Sequence, residues 1–305
     1  MKAYILRRLW QSAFVLFAVL TFVFFIVYLI GDPVLLLIPP EATYEDQEIM
    51  RRAMGLDQPL MVQYGIFLRQ AVQGDLGTSF RHGVPALPLT LARIPATLQL
   101  TGVAMLFALL MGVPVGIYAA VKRNSVLDHI SRIFALFGIS MPVYWSGLML
   151  IMLFSVRWGL LPPSGRGTWQ HLILPGFTMG LFATAPIMRL IRSSMLDVLN
   201  QDYVRTATAK GLSHRVVILK HALRNAAVPA LTVFGMQLGL LLGGAVLTET
   251  IFSWPGMGRF VVQAVHNRDF PVIRSAVVVF ATLIIIINLV TDVCYGLLNP
   301  RIRFQ

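Results

Sequence analysis

One cysteine, Cys294, occurs in 305 residues, so no disulfide framework organises this chain. Charge is scarce as well: 12% of the residues are Asp, Glu, Lys or Arg, while 57% are hydrophobic. Water-soluble domains carry about 25% charged residues, and a mean hydropathy of +0.74 places this chain in a bilayer. Catalytic signatures are missing. There is no G-x-x-x-x-G-K-[ST] phosphate loop, no H-E-x-x-H helix and no G-x-S-x-G elbow. His129, His171, His214 and His221 fall in loops or at the ends of apolar runs, without metal-ligand spacing beyond an isolated pair, and His82 and His266 lie apart from them. No catalytic residue, metal site or cofactor is therefore expected in this chain. A nucleic-acid partner is not expected either, because the basic residues are not clustered with stacking aromatics.

Apolar length, by contrast, is abundant. A bilayer core of about 30 Å needs roughly 20 apolar residues per helical span, and six runs qualify: 9–30, 95–121, 133–156, 172–191, 228–250 and 274–298. None alternates as barrel strands do, so the expected fold class is an all-α polytopic membrane protein with six transmembrane helices. The first run comes after Lys2, Arg7 and Arg8, as the core of a secretory signal would. It is too long for a signal core, and GDPVLLLIPP comes after it with no small-x-small cleavage site, so it reads as a retained anchor.

Basic residues near span ends favour the cytoplasm. With both termini inside, the inner segments (1–8, 122–132, 189–227 and 299–305) hold 15 Lys and Arg against three acids, Asp128, Asp197 and Asp202. The outer segments hold 10 Lys and Arg and nine acids, counting Glu249 at a span boundary. The net charge of +12 is thus a topology signal.

The chain reads as a single transmembrane domain, 1–305, with a helical layer over 31–94 after the first span and a five-span core over 95–298. In the layer, Thr43 can cap a helix with Asp46 three residues on, Gly55 can end it, and Pro59 suits the start of a second helix running toward Gly74. Packing at the bundle mouth and a docking surface for a delivery protein are both open readings of this layer.

Within the spans only Asp292 is read as clearly ionisable, and a satisfied structural carboxylate is its expected role. Gly235, Gly239 and Gly243 recur at steps of four and leave one helix face bare, suited to internal packing or to a second membrane subunit. Pro114, between Gly112 and Gly116, is expected to kink the second span, with Pro142 and Pro175 acting likewise. Met141, Trp145, Met188, Gln237 and Asn288 are candidates for a translocation path, as polar or flexible side chains in bent spans.

The inner segment 189–227 reads as helix, break, helix. Small residues in TATAK allow another surface close to the backbone, Gly211 permits a turn, and Ser213 can cap the second helix. Val216, Leu219, Leu223 and Ala226 then recur at helical spacing opposite Lys220, His221, Arg224 and Asn225. A basic amphipathic helix resting on anionic membrane lipid accounts for the second half, but not for the glycine bend.

DYVRTATAKGL and then KHALRNAAVP carry a resemblance from Asp202 to Pro229. GLDQPLMVQY, GDLGTSF, LPPSG, LILPGF and ETIFSWPGMGRF through RDFPVI extend it over nearly the whole chain. In these stretches the chain resembles the six-span permease subunits of ABC importers, in the dipeptide, oligopeptide, glutathione and nickel branch. The general family has a Glu-Ala-Ala triplet where this chain has Arg205, Thr206 and Ala207, and a proline that is absent after Leu223 here. The resemblance implies that Arg205, Thr206, Ala207, Lys210, Gly211, Leu212 and Arg215 belong to a coupling segment that seats on a cytoplasmic ATPase. It also implies ATP and Mg bound by two partner ATPases, a homologous second permease, an extracytoplasmic substrate-binding protein, and residence in a bacterial or archaeal cytoplasmic membrane. Peptide import is the function implied; import of a nickel chelate and a self-sufficient secondary carrier are the alternatives.

Overall fold

The computed structural model describes residues 2–30, 34, 38, 42–53 and 55–298. Backbone polar groups in hydrocarbon must be satisfied within their own segment, and the described residues are accordingly helical, with one isolated bridge between Thr78 and Pro85. The helices are α1 (Lys2–Ile30), α2 (Tyr44–Ala53), α3 (Leu60–Val72), α4 (Ala86–Leu91), α5 (Ile94–Val121), α6 (Val126–Ser140), α7 (Val143–Leu150), α8 (Ile173–Leu199), α9 (Asp202–Ala209), α10 (Leu223–Ile251), α11 (Met257–His266) and α12 (Phe270–Leu298). Helix α7 continues as a π turn, Ile151–Arg157, and α10 is entered through His214–Val216 and a π turn, Val217–Ala222.

Five stretches are long and apolar enough to cross a membrane, within α1, α4 to α5, α8, α10 and α12. A sixth crossing requires α6 and the α7 segment together, and these are bent by 105°. The expected third span, 133–156, is therefore not one rod. Pro142 has no N–H to donate and disfavours helical backbone at the residue before it; Met141 is extended, with φ −80° and ψ 129°. Pro175 does not act as a kink. It sits in the first turn of α8, where its missing N–H has no partner to lose. The prolines inside long helices are Pro114, Pro186 and Pro229. Helix α8 also runs past residue 191 to Leu199, so the first part of the expected inner segment is a continuation of the fourth span.

The chain forms two compact units, one of Pro95–Arg259 with Ile286 onward, the other of Lys2–Ile94 with Phe260–Ile285. In the first, α5 and α8 approach through small residues, as helices in lipid do. A Cβ placed on Gly116 would lie 2.8 Å from the Met188 carbonyl oxygen, and one on Gly180 would lie 2.8 Å from that of Ala104. Gly112 and Gly176 are similarly close to the facing helix. The expected stripe on α10 divides: Gly235 abuts Thr291 of α12, whereas Gly239 and Gly243 have nothing within 4 Å of a built Cβ. Gly116→Leu is therefore expected to lower stability by about 1–3 kcal/mol or more, as overpacking does, while Gly239→Leu leaves it unchanged. Thermal unfolding in detergent decides; equal midpoints for the two variants would contradict the close α5–α8 contact.

In the second unit, α1 meets α3 through rings. Phe24 stacks on Phe67 with centroids 5.6 Å apart, the Thr21 hydroxyl lies 2.7 Å from that of Tyr64, and the Arg274 guanidinium lies 4.8 Å from the Phe67 centroid. Helix α2 has the anticipated capping box: Thr43 N–H donates to Asp46 at 3.0 Å, and Asp46 N–H donates to the Thr43 hydroxyl at 3.3 Å. The side-chain and backbone hydrogen bonds from Thr43 hold the Asp46 carboxyl below the usual carboxylate range. Gly55 then ends the helix region at φ +67°.

Candidate functional site

The turn after α9 is built by local chemistry. Lys210 caps the helix, Gly211 takes φ +77°, Gly211 N–H donates to Thr208 at 3.0 Å, and Leu212 N–H reaches Ala207 at 3.4 Å. This paired closure with a left-handed glycine satisfies carbonyls that the helix end would otherwise leave open. Val204, Ala207 and Val217 pack on Val198 and Leu199. Ala207 therefore faces its own chain, and the small residues presented outward are Thr206, Thr208 and Ala209. Arg205, Thr206, Lys210, Gly211, Leu212 and Arg215 are all exposed. Arg205 lies 3.9 Å from Asp202, both largely solvated, a geometry that contributes little. Asn225 donates to the Tyr203 hydroxyl at 2.8 Å and ties α9 to the start of α10. Ser213 occupies the cap position of the next helix without a side-chain cap bond.

Three buried carboxylates act as joints. Asp128, with a fully buried side chain, receives Arg192 of α8 at 2.8 and 2.9 Å, Arg132 at 3.3 Å and the Asn124 N–H at 3.0 Å. It fastens the α5–α6 turn, where Asn124 has φ 62°, to α8. Glu249 lies near the end of the Val233–Ile251 crossing, as its sequence position suggested, and is fully buried there. It accepts the Thr97 hydroxyl at 2.6 Å and the Arg259 N–H at 3.0 Å; the same Thr97 oxygen accepts the Met257 N–H at 2.8 Å. The open N–H groups of the first turn of α11 are thus met by side chains of α5 and α10. Beside them, Trp254 Nε1 donates to the Ala96 carbonyl at 2.8 Å, Arg166 covers its ring, and Gly165 N–H donates to Phe252 at 2.8 Å. The LPPSG and FSWPG stretches, far apart in sequence, meet there. In the other unit, Asp269 accepts the Ser79 hydroxyl at 2.5 Å and the Phe80 N–H at 3.2 Å, joining GDLGTSF to RDFP.

Asp128 and Glu249 were not legible as buried joints. The available signals were Ser125 three residues before Asp128, whose hydroxyl accepts the Asp128 N–H, and Arg132 four residues after it. Asp292 is half-buried on α12. Among the described residues no group of three or more His, Cys, Asp or Glu forms a metal site.

Of the expected path residues, Gln237 lines a cavity between α7, α8 and α10. Met188 packs instead with Ala135 and Ala185. Trp145 and Asn288 are exposed and Met141 sits at the α6–α7 break, so the five are not brought together.

The chain is thus a helical bundle with membrane-crossing segments and an exposed, glycine-turned segment after α9. The chain belongs to the family of binding-protein-dependent transport system inner membrane components: the family's model matches residues 112–304, and that of its N-terminal region matches residues 1–101. It is 44% identical over 340 residues to the dipeptide transport system permease protein DppB of Escherichia coli (strain K12), covering 100% of both chains. It is also 44% identical over 306 residues to the glutathione transport system permease protein GsiC of the same strain, again covering 100% of both. Among solved structures it is similar to the inward-facing MetNI methionine ABC transporter, with a TM-score of 0.58 and 19% identity over 69% of this chain and 97% of that one. An amino acid ABC transporter with histidines matches with a TM-score of 0.52 and 17% identity, over 70% of this chain and 94% of the other. These two share the fold. The protein is an ABC importer permease.

Proposed function

We propose that this chain imports peptides of the dipeptide or glutathione size class, as one of two permease subunits in the cytoplasmic membrane, with both termini inside. The observation that carries the peptide class is the end-to-end similarity to DppB and GsiC. ATP, with Mg, is bound and hydrolysed by two cytoplasmic ATPase subunits, and an extracytoplasmic binding protein delivers the substrate. The excess of Lys and Arg in the inner segments supports this sidedness. The Gly211 turn supports the coupling role: it projects Lys210, Leu212 and Arg215 from a segment whose other face is anchored on Val198 and Leu199. Among the described residues Arg205 makes one ion-pair contact, 3.9 Å from Asp202 and largely solvated, so its charge is available to an acidic side chain of the ATPase.

The complete transporter in proteoliposomes is expected to take up labelled Leu-Leu or glutathione only with ATP and binding protein. Uptake by this chain alone, without ATP, would overturn the assignment, and uptake of a nickel chelate but no peptide would move it to the nickel branch. Gly211→Pro removes the N–H bonded to Thr208 and forbids the positive φ. That variant, and the double charge reversal Arg205→Glu with Lys210→Glu, are expected to reduce ATPase co-purification about tenfold or more while the chain stays in the membrane. Full ATPase retention in both would reject the coupling assignment.

A further inference from the structure

Lys122 and Arg123 stand exposed at the turn between α5 and α6, and neither is ion-paired among the described residues. Asp128 is the one acidic residue between Asp75 and Asp197, and Arg192 and Arg132 occupy its carboxylate. Two positive charges are thus left facing outward beside a neutralised acid. The turn holds them in place: Lys122 N–H donates to the Tyr118 carbonyl at 2.9 Å, Ser125 N–H donates to that of Lys122 at 3.2 Å, and Asp128 accepts the Asn124 N–H.

What flanks these charges is apolar. On α5 the exposed Met111, Val115 and Tyr118 lead along one face to Lys122, whose ammonium lies 5.8 Å from the Tyr118 ring centroid. A ring with a cation one turn beyond it is the pattern of a helix end at the membrane–water boundary. Helix α6 is turned inside out. It buries Asp128, Ser131 and Ala135, while Val126, Ile130, Ile133, Phe134 and Phe137 are between 48% and 76% exposed. A helix facing water would do the reverse. A neighbouring membrane helix calls for small residues, as the α5–α8 contact does, and no glycine or alanine of α6 is exposed. Bulky aliphatic and aromatic side chains ending at two unpaired cations match acyl chains ending at an anionic headgroup.

We propose that the α5–α6 corner binds an anionic phospholipid, with Lys122 and Arg123 on its phosphate and its acyl chains along the exposed face of α6. Its place in the inner leaflet rests on the sidedness proposed above. Phosphatidylcholine offers the same chains, but its own cation cancels the charge that the two bases attract. Two bases near an anionic surface contribute about a thirtyfold preference. The bound headgroup sits against the turn that Asp128 fastens to α8, the helix that leads into α9.

Phosphatidylglycerol carrying a diazirine in one acyl chain, photolysed with the complete transporter in nanodiscs, tests this by mass spectrometry of the adducts. Labelling of residues 126–137 is expected, about thirtyfold above that by the matching phosphatidylcholine probe. Lys122→Gln with Arg123→Gln should bring the two probes to parity, whereas Lys122→Arg with Arg123→Lys, which keeps both charges, should retain the preference. Lys220→Gln with Arg224→Gln removes as much charge from another exposed stretch and should change nothing. Equal labelling by both probes in the unaltered complex overturns the proposal without recourse to any variant. An equal loss in the two glutamine pairs also overturns it, as diffuse surface charge, and loss of labelling to millimolar glycerol 3-phosphate does so as a phosphate site. Absence of label on α6 from either probe rejects it and gives that face to a protein neighbour. The sidedness fails separately: Arg123→Cys in a Cys294→Ser background would then react with an impermeant maleimide outside sealed right-side-out vesicles, while preference for the anionic probe would still establish the lipid site.

Discussion

Asp128→Ala is expected to destabilise the protein by about 3–5 kcal/mol, the usual loss when one partner of a buried ion pair is removed. The carboxylate is fully buried and Arg192 is four-fifths buried, held at 2.8 and 2.9 Å. Removing the acid leaves the guanidinium beside an empty space and the Asn124 N–H without its acceptor. Arg192→Ala should cost a comparable amount, because Arg132, 45% exposed and 3.3 Å away, is too solvated to replace it. Arg132→Ala should cost at most about 1 kcal/mol, as for exposed pairs. The double variant Asp128→Leu with Arg192→Met should be less destabilised than either single alanine, since matched apolar residues often replace a buried pair at little cost. Thermal or denaturant unfolding in detergent measures all four. If the Asp128 and Arg132 variants lose equal stability, the pair with Arg192 is not what fastens the α5–α6 turn.

Glu249→Ala should have the second largest effect, about 3 kcal/mol or more. The change removes the acceptor of the Thr97 hydroxyl and the Arg259 N–H, and each buried donor left without a partner costs about 1–3 kcal/mol. Glutamine will not restore the wild type. It presents one acceptor oxygen and an NH2 group where two donors converge, so Glu249→Gln should fall between alanine and the native residue. The damage should be local, with new protease cleavage around Ser253 to Gly256 before α8 loosens. A global loss without that early cleavage would show that Glu249 holds more than the start of α11.

Much of the architecture was readable from apolar run length, since a hydrocarbon solvent leaves helices as the satisfied choice. The Thr43–Asp46 cap and the left-handed Gly55 and Gly211 were readable for the same local reason: each depends on neighbours within a few residues. The third span is not a rod although its apolar content continues through Ser140 to Pro142, because backbone geometry and not hydropathy decides there. Glycine spacing misleads in a different way. Gly112 and Gly116 are visible as neighbours of a proline, yet the residues they meet, Thr184, Met188 and Ile191, lie on another helix, and no single-helix pattern says which bare face will be covered. Asp128 and Glu249 escape for a related reason, since the groups that neutralise or cap them come from other parts of the chain. Ala207 has the composition of an outward surface residue, and only its packing on Val198 and Leu199 turns it inward.

The joint between Ser79 and Asp269 has a consequence for biosynthesis. The unit that contains it is assembled from residues 2–94 and 260–285, two stretches separated by 165 residues of the other unit. At translation rates of about 5–20 residues per second, the ribosome needs roughly 10–40 s after Ser79 before Asp269 exists. During that interval the GDLGTSF turn has its own Ser79 contact to the His82 N–H but not the carboxylate that later fixes it. The first helix and its outer layer are therefore made early and finished late, and a ribosome stalled before Phe260 exposes a half-built unit to membrane proteases.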